Sequence, residues 1–283
     1  MSVVVIQGPG LNPQRAVSVA HDLNGELQAC SGYWRVVTSQ PVSAQQVAAL
    51  RAAAAFDINL LPDGFVVGDV RLLVTDMDST FINIECVDEI ADFAGLKSQV
   101  GAITAAAMRG EVNFEQSLTQ RVNLLAGLSE DTLDQVYTER LQLNPGGKEM
   151  LIGLHRQHIK IALVSGGFTF FTEQLKQRHL LDFTLANVLD ITDGKLTGRV
   201  VGSIVGADTK AAFLEETCRT LGINTRQAVA IGDGANDLPM MAKAGLSIAY
   251  HAKPKVQAQA HAVLNHCGLE GVLGLLNIPV AAK

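Results

Sequence analysis

The chain has 283 residues, enough for one large domain or two. With 48% hydrophobic and 18% charged residues it has the composition of a globular protein with a buried core. A net charge of −6 argues against a nucleic-acid footprint, and a protein this acidic must bring local positive charge to any anionic phosphate it handles.

Residues 2–7 read as a strand. Met1-Ser2-Val3-Val4-Val5-Ile6 has no basic segment and runs into Gln7-Gly8-Pro9-Gly10, which is a turn, so no signal peptide is expected. No apolar stretch reaches membrane-span length, and no membrane partner is expected. Asn12-Pro13 opens a helix, with Asn12 as its cap and Ala16, Val17, Val19, Ala20 and Leu23 as its apolar stripe. Two short strands follow, near 26–31 and 34–38, with Gly32 at the turn. Ser43 caps a second helix carrying Val47, Leu50, Ala53 and Ala54, and Ile58-Asn59-Leu60 closes the unit as a strand. This βαββαβ order is that of ferredoxin-like domains and resembles a small ACT-type regulatory module. Such a module binds an amino acid or only dimerises, and the structural role ranks first. The turn residues Leu61-Pro62-Asp63-Gly64 mark the boundary, dividing the chain into a module over 1–66 and a larger domain over 67–283.

The larger domain opens on Leu72-Leu73-Val74-Thr75-Asp76-Met77-Asp78-Ser79-Thr80. An apolar run reads as a buried strand, and a strand ending in acids offers them at the carboxyl edge of a sheet. Residues i and i+2 of an extended backbone point the same way, so Asp76 and Asp78 can reach one substrate. One carboxylate can attack phosphorus while the other moves the proton. Taken alone, the same residues also suit a turn with a helix cap. An all-helical insert follows, a cap over about 84–145. Its helices are expected over 85–93, over 98–109, from an Asn113/Gln116 capping box, and from a Ser129 cap. Phe114 and Arg121 are seven apart and share a face of the third helix. A helix around 147–156 leads to the strand Ile159-Lys160-Ile161-Ala162-Leu163-Val164, which ends in Ser165-Gly166-Gly167. Those glycines allow backbone N–H groups to approach a phosphate, although the same residues also suit a tight turn. A helix near 169–179, a strand over 183–187 and a hairpin turning at Asp193-Gly194 come next. Lys210 opens a helix, where its charge faces the positive end of the dipole and hints at an anionic partner. The strand Ala228 to Ile231 ends in Gly232-Asp233-Gly234-Ala235-Asn236-Asp237, a second pair of carboxylates at a strand's carboxyl end and a donor set suited to Mg²⁺. A helix over 238–244 and closing elements over 256–264 and 268–276 finish the chain. Cys30, Cys86, Cys218 and Cys267 form no CxxC pair, which reads as reduced thiols in a cytoplasmic protein, and His251, His261 and His266 have no metal spacing.

Together these stretches resemble the haloacid dehalogenase superfamily of phosphatases. Asp76-Met77-Asp78-Ser79-Thr80 looks like its first motif, Ser165 its second, Lys210 its third and Gly232-Asp233-Gly234-Ala235-Asn236-Asp237 its fourth. Glu85, Met108, Phe114-Glu115-Gln116-Ser117-Leu118 and Arg121, with Ser165-Gly166-Gly167-Phe168, narrow the resemblance to the members that hydrolyse phosphoserine. The resemblance implies an α/β fold, with a Rossmann-like core and parallel sheet, a helical cap after the first motif, and the small α+β module ahead of it. It implies Asp76 as nucleophile and Asp78 as general acid and base. It implies Mg²⁺ held by Asp76, the Asp78 carbonyl and Asp233, with phosphate held by Lys210, Ser165 and the Gly166 N–H. Asn236 would contact phosphate or substrate, and Asp237 would orient Lys210 or a water. Glu85 would hold the substrate ammonium and Arg121 its carboxylate, with Met108 and Phe114 lining the pocket. The partners implied are a small substrate, phosphoserine, and a second copy through the N-terminal module. Two alternatives stay open: a phosphatase or phosphotransferase for another small phosphate or alcohol such as homoserine, and a ligand sensor built on the N-terminal module. All four motifs follow residue 70, so the module is expected to be dispensable for the chemistry.

Overall fold

The structure is a computed structural model and describes residues 1–109 and 111–280, apart from the side chain of Met108. The N-terminal strands are β1 (Ser2–Gln7), β2 (Glu26–Ala29), β3 (Tyr33–Thr38) and β4 (Asp57–Leu60), with helices α1 (Pro13–Asp22) and α2 (Ala44–Ala53). They form an antiparallel sheet in the order β2-β3-β1-β4, the βαββαβ arrangement expected. The caps act as read. Asn12 accepts from the Arg15 N–H, and Ser43 and Gln46 form a reciprocal capping box. One member of the expected stripe differs. Ala16, Val19 and Ala20 sit at i, i+3 and i+4 and are buried, whereas Val17 lies off that face and is 58% exposed.

Strand β5 (Leu72–Thr75) begins the larger sheet. The insert after it holds α3 (Cys86–Phe93), α4 (Lys97–Met108), α5 (Phe114–Asn123) and α6 (Asp131–Glu139). The chain then runs through α7 (Gly147–Arg156), β6 (Lys160–Phe168), α8 (Thr169–His179), β7 (Phe183–Thr192), β8 (Lys195–Val201), α9 (Ala207–Leu221), β9 (Ala228–Gly232) and α10 (Leu238–Lys243). It closes with β10 (Leu246–Tyr250), α11 (Pro254–Gln257), β11 (Ala262–Leu264) and α12 (Gly271–Leu275). The sheet order is β11-β10-β9-β5-β6-β7-β8, parallel except where β8 turns back on β7. That hairpin turns at Asp193 and Gly194, both at positive φ. Three things depart from the sequence reading. Strand β10 was not expected; it is fully buried between β9 and β11, so it shows no alternation to read. Strand β7 runs five residues past its expected end at Asn187, because β8 pairs with the extension. Strand β6 continues through Ser165-Gly166-Gly167, but its register with β7 shifts between Val164 and Phe168.

The register positions the chemistry. Strand β5 is central, and Thr75 pairs with Leu163 of β6 on one side and Ile231 of β9 on the other. The residues that follow these, Asp76, Ser165 and Asp233, therefore emerge side by side at one edge.

The N-terminal sheet is bonded to the end of the chain. Asn59, fully buried, donates to the Val263 carbonyl at 2.9 Å and accepts from the Val263 N–H at 2.7 Å, which covers the outer edge of β11. The Asp57 carboxylate accepts from the N–H groups of Asn265 (2.8 Å), His266 (3.2 Å) and Cys267 (2.9 Å). Asp57→Ala would leave three donors without their acceptor at a 2% exposed position. A loss of about 2–3 kcal/mol is expected, and a smaller one in Asp57→Asn, which keeps one acceptor oxygen. Urea unfolding curves check this; an unchanged midpoint in Asp57→Ala would mean that water replaces the carboxylate without cost.

Candidate active site

Asp76 leaves β5 with its N–H donating to the Ile231 carbonyl at 3.0 Å, so its backbone stays tied to β9. The chain then tightens. Ser79 adopts φ 57°, a left-handed conformation unusual for a residue with a side chain. The Ser79 N–H donates to the Ile84 carbonyl, and the Asn144 side chain donates to the Thr80 and Ile82 carbonyls. This turn places the Asp78 carboxylate where Oδ1 accepts from the Cys86 N–H at 3.1 Å, at the start of α3. The Ser79 hydroxyl donates to Glu85 at 2.6 Å, and the Thr80 hydroxyl to Asp233 at 3.2 Å.

Lys210 is fully buried in the first turns of α9, and its ammonium donates to Asp76 Oδ1 and Asp237 Oδ1, each at 2.7 Å. The anionic partner hinted at by its position is thus a pair of the protein's own carboxylates. Asp237 also accepts from the Gly234 N–H at 3.0 Å. A side chain at Gly232 would come within 2.4 Å of Asp237 Oδ2, so the close approach requires glycine there. Ser165 is buried, with its hydroxyl accepting from the Gly167 N–H at 2.7 Å. A Cβ on Gly167 would lie 2.8 Å from Asp78 Oδ2, so this glycine too makes room for a carboxylate.

Charge in the site is unbalanced. Burial and the neighbouring Asp237 push the Asp76 carboxyl well above the usual range, against the pull of Lys210. Burial raises Asp78 as well, opposed by the Cys86 hydrogen bond and the charges of Lys210 and Arg121. Burial and Asp78 push Glu85 up to about 7, and burial and Asp237 push Asp233 up to about 6. Burial works against the Lys210 ammonium, but the two carboxylates outweigh it and keep the group charged. Four carboxyls raised together mark a site short of positive charge. Asp76, Asp233 and Asp237 each offer one oxygen, all within 4.8 Å of one another. Carboxylate oxygens short of countercharge fit a hard divalent cation. Asp76 and Asp233 are two of the ligands expected from sequence; the third was the Asp78 carbonyl, while the Asp78 side chain faces Cys86, and Asp237 adds a third carboxylate beside the pair.

A cavity of about 370 Å³ opens above these groups. Asp76, Asp78, Asp233 and Asn236 lie on the core side, and Glu85, Phe114 and Arg121 come from the insert. Arg121 makes no ion pair among the described residues; its Nε donates to the Ser117 carbonyl at 3.4 Å, on its own helix. A Cβ on Gly166 would meet the Phe114 ring at 2.7 Å, so Gly166 and Phe114 close the wall between core and insert. Ser165, Lys210 and Asp237 are buried and do not line the cavity. Met108 was expected in the pocket, and its side chain lies outside the described residues. Thr104, Ser117 and Lys253 also line the cavity and were missed. Ser117 was within reach of sequence, since it lies three residues after Phe114 and four before Arg121 on one helix face. Lys253 and Thr104 carried no local signal. Lys253 is placed by its N–H, which donates to the Asp233 carbonyl at 3.4 Å.

Carboxylates at the ends of β5 and β9, a buried lysine joining them and a helical insert over the cavity define a hydrolase of a known class. The family model for the haloacid dehalogenase-like hydrolases matches residues 70–245, and the chain belongs to that family. Within it, the chain is 52% identical over 224 residues to the phosphoserine phosphatase of Polaromonas sp., covering 77% of this chain and 95% of that one. Among solved structures, the probable phosphoserine phosphatase of Vibrio cholerae in unliganded form superposes with a TM-score of 0.84 at 39% identity, covering 98% of this chain and 86% of that one. A haloacid dehalogenase family hydrolase of Salmonella enterica serovar Typhi gives a TM-score of 0.89 at 32% identity, covering 98% and 99%.

Proposed function

We propose that this chain is a phosphoserine phosphatase, hydrolysing O-phospho-L-serine to serine and phosphate as the last step of serine biosynthesis. The observation that carries the reading is one cavity with Asp76 and Asp78 on its core side and Glu85, Phe114 and Arg121 on its insert side. Phosphoserine has a phosphate for the first pair, and an ammonium and a carboxylate for Glu85 and Arg121. The Asp76 carboxylate attacks phosphorus, and the bond from phosphorus to the serine oxygen breaks. Asp78, whose burial favours the protonated form, gives its proton to that oxygen. In the second half, water attacks the aspartyl phosphate, Asp78 takes the water proton, and phosphate leaves with Asp76 restored. Asp76, Asp233 and the Asp78 carbonyl would hold a divalent ion, which we take to be Mg²⁺, with Asp237 beside them, and when bound the ion would neutralise charge at the phosphoryl oxygens. Lys210 holds Asp76 and Asp237 in place and Ser165 braces the Gly167 N–H, while the Gly166 N–H and Asn236, on the cavity lining, hold the phosphate. The N-terminal sheet is the proposed homodimer contact, and the enzyme works in the cytoplasm on a small phosphate, without nucleic acid. Among the described residues, no helix is long and apolar enough to cross a membrane.

Phosphate release from phosphoserine, other small phosphates and an aryl phosphate, after chelation and after Mg²⁺ is restored, tests the reading; homoserine as added acceptor exposes any phosphotransfer. Arg121→Ala removes the carboxylate's partner in a partly dry pocket. A loss of about 2–5 kcal/mol in kcat/KM is expected on phosphoserine, with a clear loss in Glu85→Gln too. An aryl phosphate has neither group, and its turnover is expected to change less than about threefold. Equal losses on both substrates would take the amino-acid specificity away from these two residues.

A further inference from the structure

Positive charge is unevenly placed around the cavity. Asp76, Asp78, Glu85 and Asp233 line it, and among the described residues only Arg121 and Lys253 bring cations to it. Arg121 comes from the insert. Lys210 is fully buried, does not line the cavity and already shares its ammonium between Asp76 and Asp237. Lys253 is therefore the described lining cation on the core side, where the phosphate end of a substrate must lie beside Asp76. Its backbone is fixed. The Lys253 N–H donates to the Asp233 carbonyl at 3.4 Å, and the Lys253 carbonyl accepts from the N–H groups of Val256 (2.9 Å) and Gln257 (3.1 Å). The residues ahead of it are held as well. The His251 N–H donates to the Leu264 carbonyl at 2.8 Å, and the Gln257 side chain donates to the Ala252 carbonyl at 2.6 Å. Lys253 itself is exposed, and the salt bridges of the described residues take up Lys97, Lys160, Lys210 and Lys243 but not Lys253. Lys255, two residues on, does not line the cavity. The fold thus carries a free ammonium, on a pinned backbone, at the rim of an acidic cavity.

We propose that Lys253 is a substrate-binding residue that captures the phosphate of the incoming ester. The inference rests on the reading of the site as one for phosphate monoesters, and not on which ester it takes. A phosphate dianion approaching Asp76 meets carboxylates of its own sign, and such repulsion slows entry and weakens binding. An ammonium on a flexible four-carbon stem offsets that charge at the rim and follows the phosphate inward. A lysine is a point charge without a planar fork, so it reads the charge of the phosphate and nothing of the group attached to it. Arg121 and Lys253 thus divide the substrate between them. Arg121 serves the amino-acid end, and Lys253 serves any phosphate ester and the phosphate product.

Lys253→Gln removes the charge, Lys253→Arg keeps it and Lys253→Glu reverses it, and all three leave the backbone bonds in place. Steady-state kinetics with Mg²⁺ are measured on phosphoserine and on an aryl phosphate, at low salt and at about 0.5 M salt, with inhibition by inorganic phosphate and thermal unfolding alongside. At low salt Lys253→Gln is expected to lose about threefold to tenfold in kcat/KM on both substrates alike, with kcat within about twofold. Inorganic phosphate is expected to inhibit it more weakly by a similar factor. Lys253→Arg should remain near wild type, and Lys253→Glu should lose more than Lys253→Gln. Salt screens an exposed charge, so the gap between wild type and Lys253→Gln is expected to narrow at high salt. The Tm of Lys253→Gln is expected to match that of wild type, because the side chain makes no ion pair among the described residues. Unchanged kcat/KM in Lys253→Gln at low salt, a loss confined to phosphoserine, or a loss that salt does not reduce would overturn the proposal. If the wild-type enzyme releases phosphate from no ester and inorganic phosphate does not inhibit it, the reading of the site fails before any variant is compared.

Discussion

Asp76→Asn is expected to fold normally and to lose turnover. An amide matches the carboxylate in shape and lacks the electron-rich oxygen that attacks phosphorus. Removing the nucleophile from a catalytic unit lowers kcat by at least about 10⁴-fold. Stability should move little or upward. In the intact site Asp76 and Asp237 share one ammonium at 2.7 Å each, and Asp76 is pushed well above the usual carboxylate range. Neutralising one of the two relieves their repulsion, while the amide oxygen still accepts from Lys210. Circular dichroism and thermal unfolding report the fold, and phosphate release reports the chemistry. Asparagine can deamidate back to aspartate, so the chain must be checked by mass spectrometry. Metal-dependent turnover in a preparation free of the deamidated chain would remove Asp76 from the nucleophile's role.

Lys210→Met is expected to lose both activity and stability. Methionine fills a similar volume and carries no charge. The substitution leaves Asp76 and Asp237 facing each other, at 6% and 0% exposure, without the cation between them. Breaking a buried ion pair by removing one partner costs about 3–5 kcal/mol. The loss should depend on pH in a stated direction. Without Lys210, the burial that already raises the Asp76 carboxyl is no longer opposed by a cation, so Asp76 holds its proton to a higher pH in the folded chain than in the unfolded one. The folded state then binds more protons than the unfolded state above the ordinary carboxylate pKa of about 4. Stability therefore falls as pH rises through that window, and the variant is least impaired in mild acid. Urea unfolding of both proteins in chelator, at about pH 5 and about pH 8, checks this. A deficit of the same size at both values would mean that packing, and not charge, is what Lys210 supplies.

Much of the site was legible because its signals are local. Asp76 and Asp78 are two apart after an apolar run, and an extended chain turns both the same way. Gly232-Asp233-Gly234 follows another such run. The capping boxes at Ser43 and Asn113, and the Asp193-Gly194 hairpin, are contacts between near neighbours, so a short stretch of sequence specifies them. The N-terminal module could likewise be read from alternating strands and capped helices.

Other features come from strands and helices far apart in the chain. Lys210 read as a lysine at a helix start, facing the wrong end of a dipole. Its partner Asp76 is 134 residues away, and only the parallel register of β5 and β9 brings Asp76 and Asp237 to the same ammonium. Asp237 joins the carboxylate cluster for the same reason. Strand β10 escaped notice because a strand buried on both faces has no alternating pattern. Asn59 read only as part of a closing strand and Asp57, just before it, carried no local signal, yet both bond to backbone more than 200 residues on. Thr104 and Lys253 reach the cavity only after the insert and the end of the sheet have packed around it. Periodicity and capping determine each element and the face it buries. Which side chains share one charge, or one cavity, is decided by register and packing between elements, and no local stretch of sequence encodes that.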